Sequence, residues 1–293
     1  PFQLGDVKVT NFDAGHIPGS VMSYLEFNGK SLLYNGNFNM LDTRLLEGCD
    51  KDLPDVDTLI TESTYSQRDH PDRKTVEKDL VNLVNETISN NGVALISTFA
   101  IGRAQEILLI LDHYGIDYPL YLDGMAKKAT AIINQHRNLL NDPKSLDKAL
   151  KKVNYVFGDR MRKKIVKQPC AIVTTSGMLN GGTVIPYIKS LHNDRNSSLM
   201  LTGFQVEGTP GHKLLQTGRF VTDELDLEMN MFVKRFDFSA HSGRKELFGF
   251  IKDVKPEKIF CVHGDDTEKF AQELREKGFD AVAPTTDNKI FVL

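Results

Sequence analysis

The sequence predicts an α/β protein in which a parallel α/β block interrupts β-type sequence on both sides. Three observations predict it. Short strands broken by Gly, Asn and Asp fill the chain to about residue 65. Strand–loop–helix units then repeat from Gly92 to about Gly218. Finally, DELDLEMNMFVKRFDFSAHSG reads as renewed β structure. One kind of sequence on both flanks of another indicates an inserted domain rather than two in tandem. The expected division is 1–70, 71–230 and 231–293.

In chain order, DVKVTNF, SYLEFNG, KSLLYNG and VDTLITE read as strands. A helix begins near Lys74, where Val76, Leu80, Leu83, Val84 and Ile88 share one face. VALISTF then leads through AIGR to QEILLILDHYG, and PLYLDG to a helix near KKATAIINQH. AIVTTS leads through GMLNGG to TVIPYIKSL, and SSLMLTGF through QVEGTPG to HKLLQTG. Apolar strands alternating with glycine-bearing loops and helices are what a parallel sheet requires, and such sheets bind ligands at the carboxyl ends of their strands. The chain closes with KIFCVHGD, a helix over TEKFAQELREKGF, and the extended segments DAVAPTT and KIFVL.

Composition excludes several classes. With 40% apolar and 26% charged residues the chain is globular. No apolar run reaches membrane-span length, and PFQLGDVKVT lacks the regions of a signal peptide. A cytoplasmic location without membrane partners is therefore expected. Cys49, Cys170 and Cys261 are odd in number and far apart, which fits buried small hydrophobes rather than disulfides or a thiolate metal site. The net charge of −3 exerts no global pull on nucleic acid, so any RNA contact must be local.

Short loops after apolar strands carry the chemistry. They are DAGHIPGS with His16, YNGNFN with Asn37, ITESTY with Glu62, and the late pair FSAHSG and CVHGD with His241 and His263. Strands of one sheet end at a common rim, so side chains just beyond them can converge. Imidazoles suit zinc, and a nearby carboxylate can orient an imidazole or take a proton. Singly, each has an ordinary explanation as a turn histidine, a helix-start acid or a turn amide.

Together these motifs resemble those of the β-CASP ribonucleases of the metallo-β-lactamase superfamily. DAGHIPGS looks like the third metallo-β-lactamase motif and YNGNFN stands at the fourth; ITESTYSQRDHP, FSAHSGR and CVHGD resemble motifs A, B and C. TFAIGRAQEIL, PLYLDGMA, TTSGMLNGG and GFQVEGTPG are similar to signatures of the inserted domain. The likeness runs from about residue 9 to the end. It implies a partial metallo-β-lactamase αββα sandwich carrying an inserted parallel β-CASP domain. It also implies a hydrolase with two zinc ions that polarise a phosphate and supply a hydroxide to cut single-stranded RNA. His16 and His263 match ligands of the two metals. His241 matches the histidine near the scissile phosphate, and Glu62 the acid that orients it, so these two are the candidate catalytic residues.

Two departures concern the metal. The family's His-x-His-x-Asp-His cluster precedes the DAGHIPGS motif, and no such cluster occurs in this sequence. A fragment is expected, with the N-terminal segment supplied elsewhere, on another polypeptide or in the parent gene. Second, Asn37 stands where the family has a metal-bridging aspartate. Two dications about 3.5 Å apart repel by roughly 19 kcal/mol at an effective dielectric near 20, and an amide brings no charge to offset that. One metal or a poorly filled pair, and reduced activity, are expected.

Single-stranded RNA is the expected partner, with a homodimer as a further one. TTSGMLNGG and TFAIGRAQE enter helices with free backbone amides, which favour anions. Ser176, Gly177, Gly181, Gly182 and Arg103 are thus candidate phosphate contacts, although the glycines alone would serve tight turns. DRMRKKIVK reads as a solvated helix face; Phe99 and Phe204, weighed as base-stacking residues, are placed in the core. His70, His113, His136, His192 and His212 are assigned to structure or surface. The alternative to an mRNA-processing or decay ribonuclease is a non-catalytic RNA-binding or scaffold subunit, which Asn37 and the absent cluster favour. An enzyme of small molecules fits the large insertion poorly.

Overall fold

The computed structural model describes residues 1–285. Strands β1 (Phe2–Leu4), β2 (Val7–Asp13), β3 (Val21–Phe27), β4 (Lys30–Tyr34) and β5 (Thr58–Glu62) open the chain. A helical and parallel-strand region follows: α1 (Arg73–Ser89), β6 (Val93–Ser97), α2 (Arg103–Tyr114), β7 (Leu120–Leu122), α3 (Met125–Ile133), α4 (Pro143–Leu150) and β8 (Val153–Tyr155). It continues with α5 (Gly158–Ile165), β9 (Cys170–Thr174), α6 (Val184–Leu191), β10 (Ser198–Leu201) and α7 (Pro210–Thr217). Then come β11 (Arg219–Val221), β12 (Asp226–Glu228) and β13 (Phe232–Arg235), before α8 (Arg244–Val254), β14 (Lys258–Val262), α9 (Thr267–Glu276) and β15 (Ala281–Val282). The KIFVL segment lies outside the described residues. None of the helices is long and apolar enough to cross a membrane among the described residues.

Two compact units result, one of residues 1–70 with 240–293, the other of residues 71–239. The first holds a mixed sheet in the order β1-β2-β3-β4-β5-β14-β15. Strands β1 to β4 form an antiparallel meander, whereas β4–β5, β5–β14 and β14–β15 run parallel. Met22, Tyr24, Leu33, Leu59, Ile259 and Cys261 point to one face and pack on Leu247, Phe250 and Ile251 of α8 and Phe270 and Leu274 of α9. Alternation sends Val21, Phe27 and Tyr34 to the other face, where they are exposed. One β-layer and one α-layer of the predicted sandwich are thus among the described residues.

The second unit is built on an all-parallel sheet, β13-β10-β6-β9-β7-β8. Its central strands are covered on both faces, which explains their unbroken apolar runs. Ala94, Ile96, Ala171, Val173 and Met200 face α1 and α2, while Leu95, Ile172, Leu199 and Leu201 face Val184, Tyr187 and Ile188 of α6. On α1, Val76, Leu80 and Val84 are buried, with Leu83 and Ile88 at the core's edge. Asp72 caps that helix through the Thr75 amide at 2.9 Å.

Two expectations about the later chain differ from the structure. Residues 231–239 were expected with the flanking domain, yet β13 pairs with β10 from Ser198↔Phe232 to Leu201↔Arg235. An edge strand reads alike whichever sheet it joins. Beyond Arg235 no strand continues into FDFSAHSG; Phe236 and Phe238 instead plug the core beneath α1 and α2. The three cysteines are free and buried, and burial pushes each thiol up to about 12.

A buried ion pair ties the sheet of the second unit to its helices. Asp123, just past β7, is fully buried and accepts from Arg162 Nε at 2.7 Å and Nη2 at 3.2 Å, and from the Tyr187 hydroxyl at 3.0 Å. Burial alone would raise its pKa. Arg162, the Gly124 amide and Tyr187 outweigh that and hold the carboxyl below its ordinary range. Asp123→Asn is expected to lower unfolding stability by roughly 3 kcal/mol near neutral pH, measured by urea titration. Because the folded pKa is depressed, this contribution is complete above the unfolded carboxylate value and fades as pH falls through the folded one. The gap between wild type and variant should therefore narrow below about pH 4; equal stability at neutral pH would contradict the assignment.

Candidate active site

Strand direction gathers the candidate residues of the first unit. Strands β2, β4, β5 and β14 all point the same way, because β3 runs antiparallel to both β2 and β4 while β4, β5 and β14 are parallel. The loops after them therefore leave from one rim, with His16 after β2, Asn37 after β4, Glu62 at the end of β5 and His263 just past β14. The register pairs Glu62 with Val262. His241 arrives in the segment before α8, where the Ser242 amide donates to Phe38 O at 2.9 Å.

Glu62 lies at the centre. Its side chain is 1% exposed, and three chain segments donate to it. The Phe38 amide reaches Oε1 at 2.8 Å. His241 Nδ1 donates to Oε2 at 2.7 Å, and the Thr64 hydroxyl makes a short bond to the same oxygen. Since the single Thr64 proton goes to the carboxylate, Thr64 Oγ1 accepts from His263 Nδ1 at 3.0 Å. The carboxylate thus orients one imidazole directly and a second through Thr64. His16 Nδ1 donates to Ala240 O at 2.8 Å. In all three rings these bonds select the Nδ1-protonated tautomer, in which the neutral ring carries its lone pair on Nε2.

His241 stands beside both other rings. His16 and His241 have centroids 4.6 Å apart; His241 and His263 stand 6.1 Å apart and nearly parallel, at 13°. Tyr65 meets His241 edge-on at 5.9 Å and His70 at 4.6 Å, and His70 Nε2 donates to His241 O at 3.1 Å. Two glycines let the loops close. Gly15 has φ +65°, and a Cβ there would meet Asn39 O at 2.6 Å; a Cβ on Gly264 would meet Ser63 O at 2.6 Å. His263 itself adopts φ +49°, which costs a non-glycine residue roughly 1–2 kcal/mol. The Ser63 amide, donating to His263 O at 3.0 Å, helps hold it there.

His16, Glu62, His241 and His263 are therefore brought together. Asn37 lies in the bend next to Phe38, half-buried, and no hydrogen bond ties its side chain to the imidazoles among the described residues. Metal fit is incomplete. Among the described residues no group of three or more His, Cys, Asp or Glu could hold a metal ion, and Glu62 is committed to its donors. Thr64, which sequence reasoning missed, was legible only as a hydroxyl two residues past Glu62. His70, assigned to structure or surface, supports the backbone of His241.

The phosphate-contact candidates lie in the second unit. Ser176 and Gly177 follow β9, and Gly181 and Gly182 precede α6. Gly177 and Gly182 both make close approaches: a Cβ on Gly177 would meet Phe99 N at 3.1 Å, one on Gly182 Thr175 O at 2.9 Å. Arg103 is buried at the first turn of α2 rather than open to solvent. On α5, Lys163 and Lys164 are exposed while Arg162 turns inward to Asp123.

Long-range 1H–15N spectra should show Nδ1-protonated tautomers for His16 and His241. Thr64→Val should release the His263 tautomer while leaving that of His241. An unaltered His263 signal in that variant would break the proposed connection through Thr64.

Comparison with known proteins adds two matches. Residues 104–214 match a model described as the Beta-Casp domain, and residues 226–284 one described as the Zn-dependent metallo-hydrolase RNA specificity domain. The chain is 43% identical to Probable RNase MJ4 of Methanocaldococcus jannaschii, over 97% of this chain and 69% of that protein. It is 34% identical to RNase aCSPSF2 of Saccharolobus solfataricus, over 98% and 59%. With Cleavage and polyadenylation specificity factor subunit 3 of Dictyostelium discoideum it shares 32% identity, over 89% and 36%. The chain thus spans between about a third and about two thirds of the length of these relatives.

Proposed function

The chain belongs to the β-CASP family of metallo-β-lactamase-fold nucleases, and from that premise we propose that it serves zinc-dependent hydrolysis of single-stranded RNA in messenger-RNA processing or decay. The observation that carries this reading is the grouping of three imidazoles at one rim, His241 held by the Glu62 carboxylate, His263 linked to it through Thr64, and His16 beside His241 on Ala240 O.

In this reading His241 stabilises charge on the scissile phosphate or protonates the leaving oxygen. Glu62 is a positioning residue that holds the His241 ring in one tautomer and would stabilise the imidazolium once formed. His16 and His263 offer Nε2 lone pairs suited to zinc. Two imidazoles do not close a zinc site, so no step is assigned to the metal. Ser176 and the glycines at 177, 181 and 182 are proposed as RNA phosphate contacts. Arg103, being buried, contributes its charge rather than an open hydrogen-bonding edge.

A second reading, a non-catalytic RNA-binding subunit, is favoured by Asn37 at the bridging position and by the incomplete metal set. Cleavage of single-stranded RNA by the full-length gene product with zinc separates the two. Under the first reading Glu62→Gln lowers kcat by about 10²- to 10⁴-fold with KM little changed, and Asn37→Asp raises activity. A zinc-loaded protein that binds RNA and leaves it intact, with and without Asn37→Asp, would establish the second.

A further inference from the structure

Strands β10, β6 and β9 are adjacent and parallel, so the loops beginning at Thr98, Thr175 and Thr202 emerge side by side at their carboxyl ends. Large apolar side chains from this rim face solvent instead of the core where sequence placed them. Phe99 is 38% and Phe204 43% exposed, and Ile101 and Val206 are exposed beside them in sequence. Phe99 is nevertheless held firmly. A Cβ on Gly203 would come within 2.8 Å of its Cε2, and one on Gly177 within 3.2 Å of its Cδ1. Glycines from the two neighbouring loops thus lie against the ring, and any larger residue at either position would displace it.

Gln205 fixes the same loops. Its buried Nε2 donates to Gly177 O at 2.9 Å, Phe204 O at 3.1 Å and Gly203 O at 3.2 Å. The Ser97 hydroxyl adds a bond to Ser176 O at 2.7 Å, and the Gly211 amide one to Met178 O at 3.1 Å. In the same loop, Ser176 Oγ is buried without a hydrogen-bond partner among the described residues. An aromatic surface kept in water by rigid loops loses little entropy when something covers it.

We infer that Phe99 and Phe204 form a stacking platform for an unpaired base of single-stranded RNA, with Gln205 as its positioning residue. This rests on the RNA reading above. A nucleobase is the occupant that the chemistry fits: it presents a flat π-face to the rings and comes with phosphates for the amide-rich 176–182 loop. Stacking of this kind tolerates any base, so the platform would add affinity without sequence preference.

The chain contains no tryptophan, so Phe204→Trp installs a single reporter. A short oligoadenylate should quench its emission saturably, whereas a ribose-phosphate chain of equal length without bases should not. Phe99→Leu, which keeps an apolar side chain between the glycines, should weaken oligoadenylate binding by roughly 5- to 150-fold. The salt dependence of binding should stay unchanged, because no phosphate contact is removed. Equal binding of base-bearing and base-free chains, or an unaffected Phe99→Leu variant, would overturn the platform while leaving the RNA reading intact. A folded protein that binds no RNA would overturn both. Emission that shifts with protein concentration instead of RNA would assign the surface to a second copy and overturn the inference.

Discussion

A carboxylate withdrawn from water loses a hydration shell worth several kcal/mol and is tolerated only where donors replace it. Glu62 meets that demand with the Phe38 amide, the Thr64 hydroxyl and His241 Nδ1, drawn from the loop after β4, its own loop and the segment before α8. The same bonds that satisfy the carboxylate set the rings of His241 and, through Thr64, of His263. Stability of the rim and orientation of the imidazoles are therefore one interaction. Removing the charge would disturb both.

Topology makes that interaction available. Strand β14 lies beside β5 although the separate unit of residues 71–239 stands between them in the chain, and the parallel register sets Val262 opposite Glu62. Parallel neighbours end at the same rim, so residues two hundred positions apart become hydrogen-bonded without a long, irregular loop. The second unit uses the same principle. Its carboxyl-end loops converge on Phe99, and a buried glutamine ties their carbonyls.

Much of this was legible in the sequence because backbone rules are local. Apolar runs of β6, β9 and β10 announced strands buried on both faces, and loops such as DAGHIPGS and CVHGD announced strand ends that carry His16 and His263. The grouping of His16, Glu62, His241 and His263 came from family resemblance, since no spacing rule foretells which distant loops share a rim. Partner-dependent features were hidden. Thr64 is one hydroxyl among many until His263 is seen behind it, and β13 reads as β structure of either sheet until its register with β10 is known. Phe99 and Phe204 ran against hydrophobic patterning, which places aromatic residues inside. Such a departure, where a costly exposure is rigidly maintained, is where a surface suggests a partner.

The most direct measurement of the central interaction is a double-mutant cycle on unfolding stability, joining Glu62→Gln with His241→Ala. A charge-assisted bond that fastens the segment before α8 to β5 predicts a coupling of roughly 1.5–3 kcal/mol between the two sites. Effects that simply add, within about 0.5 kcal/mol, would mean that Glu62 does not hold His241 in solution.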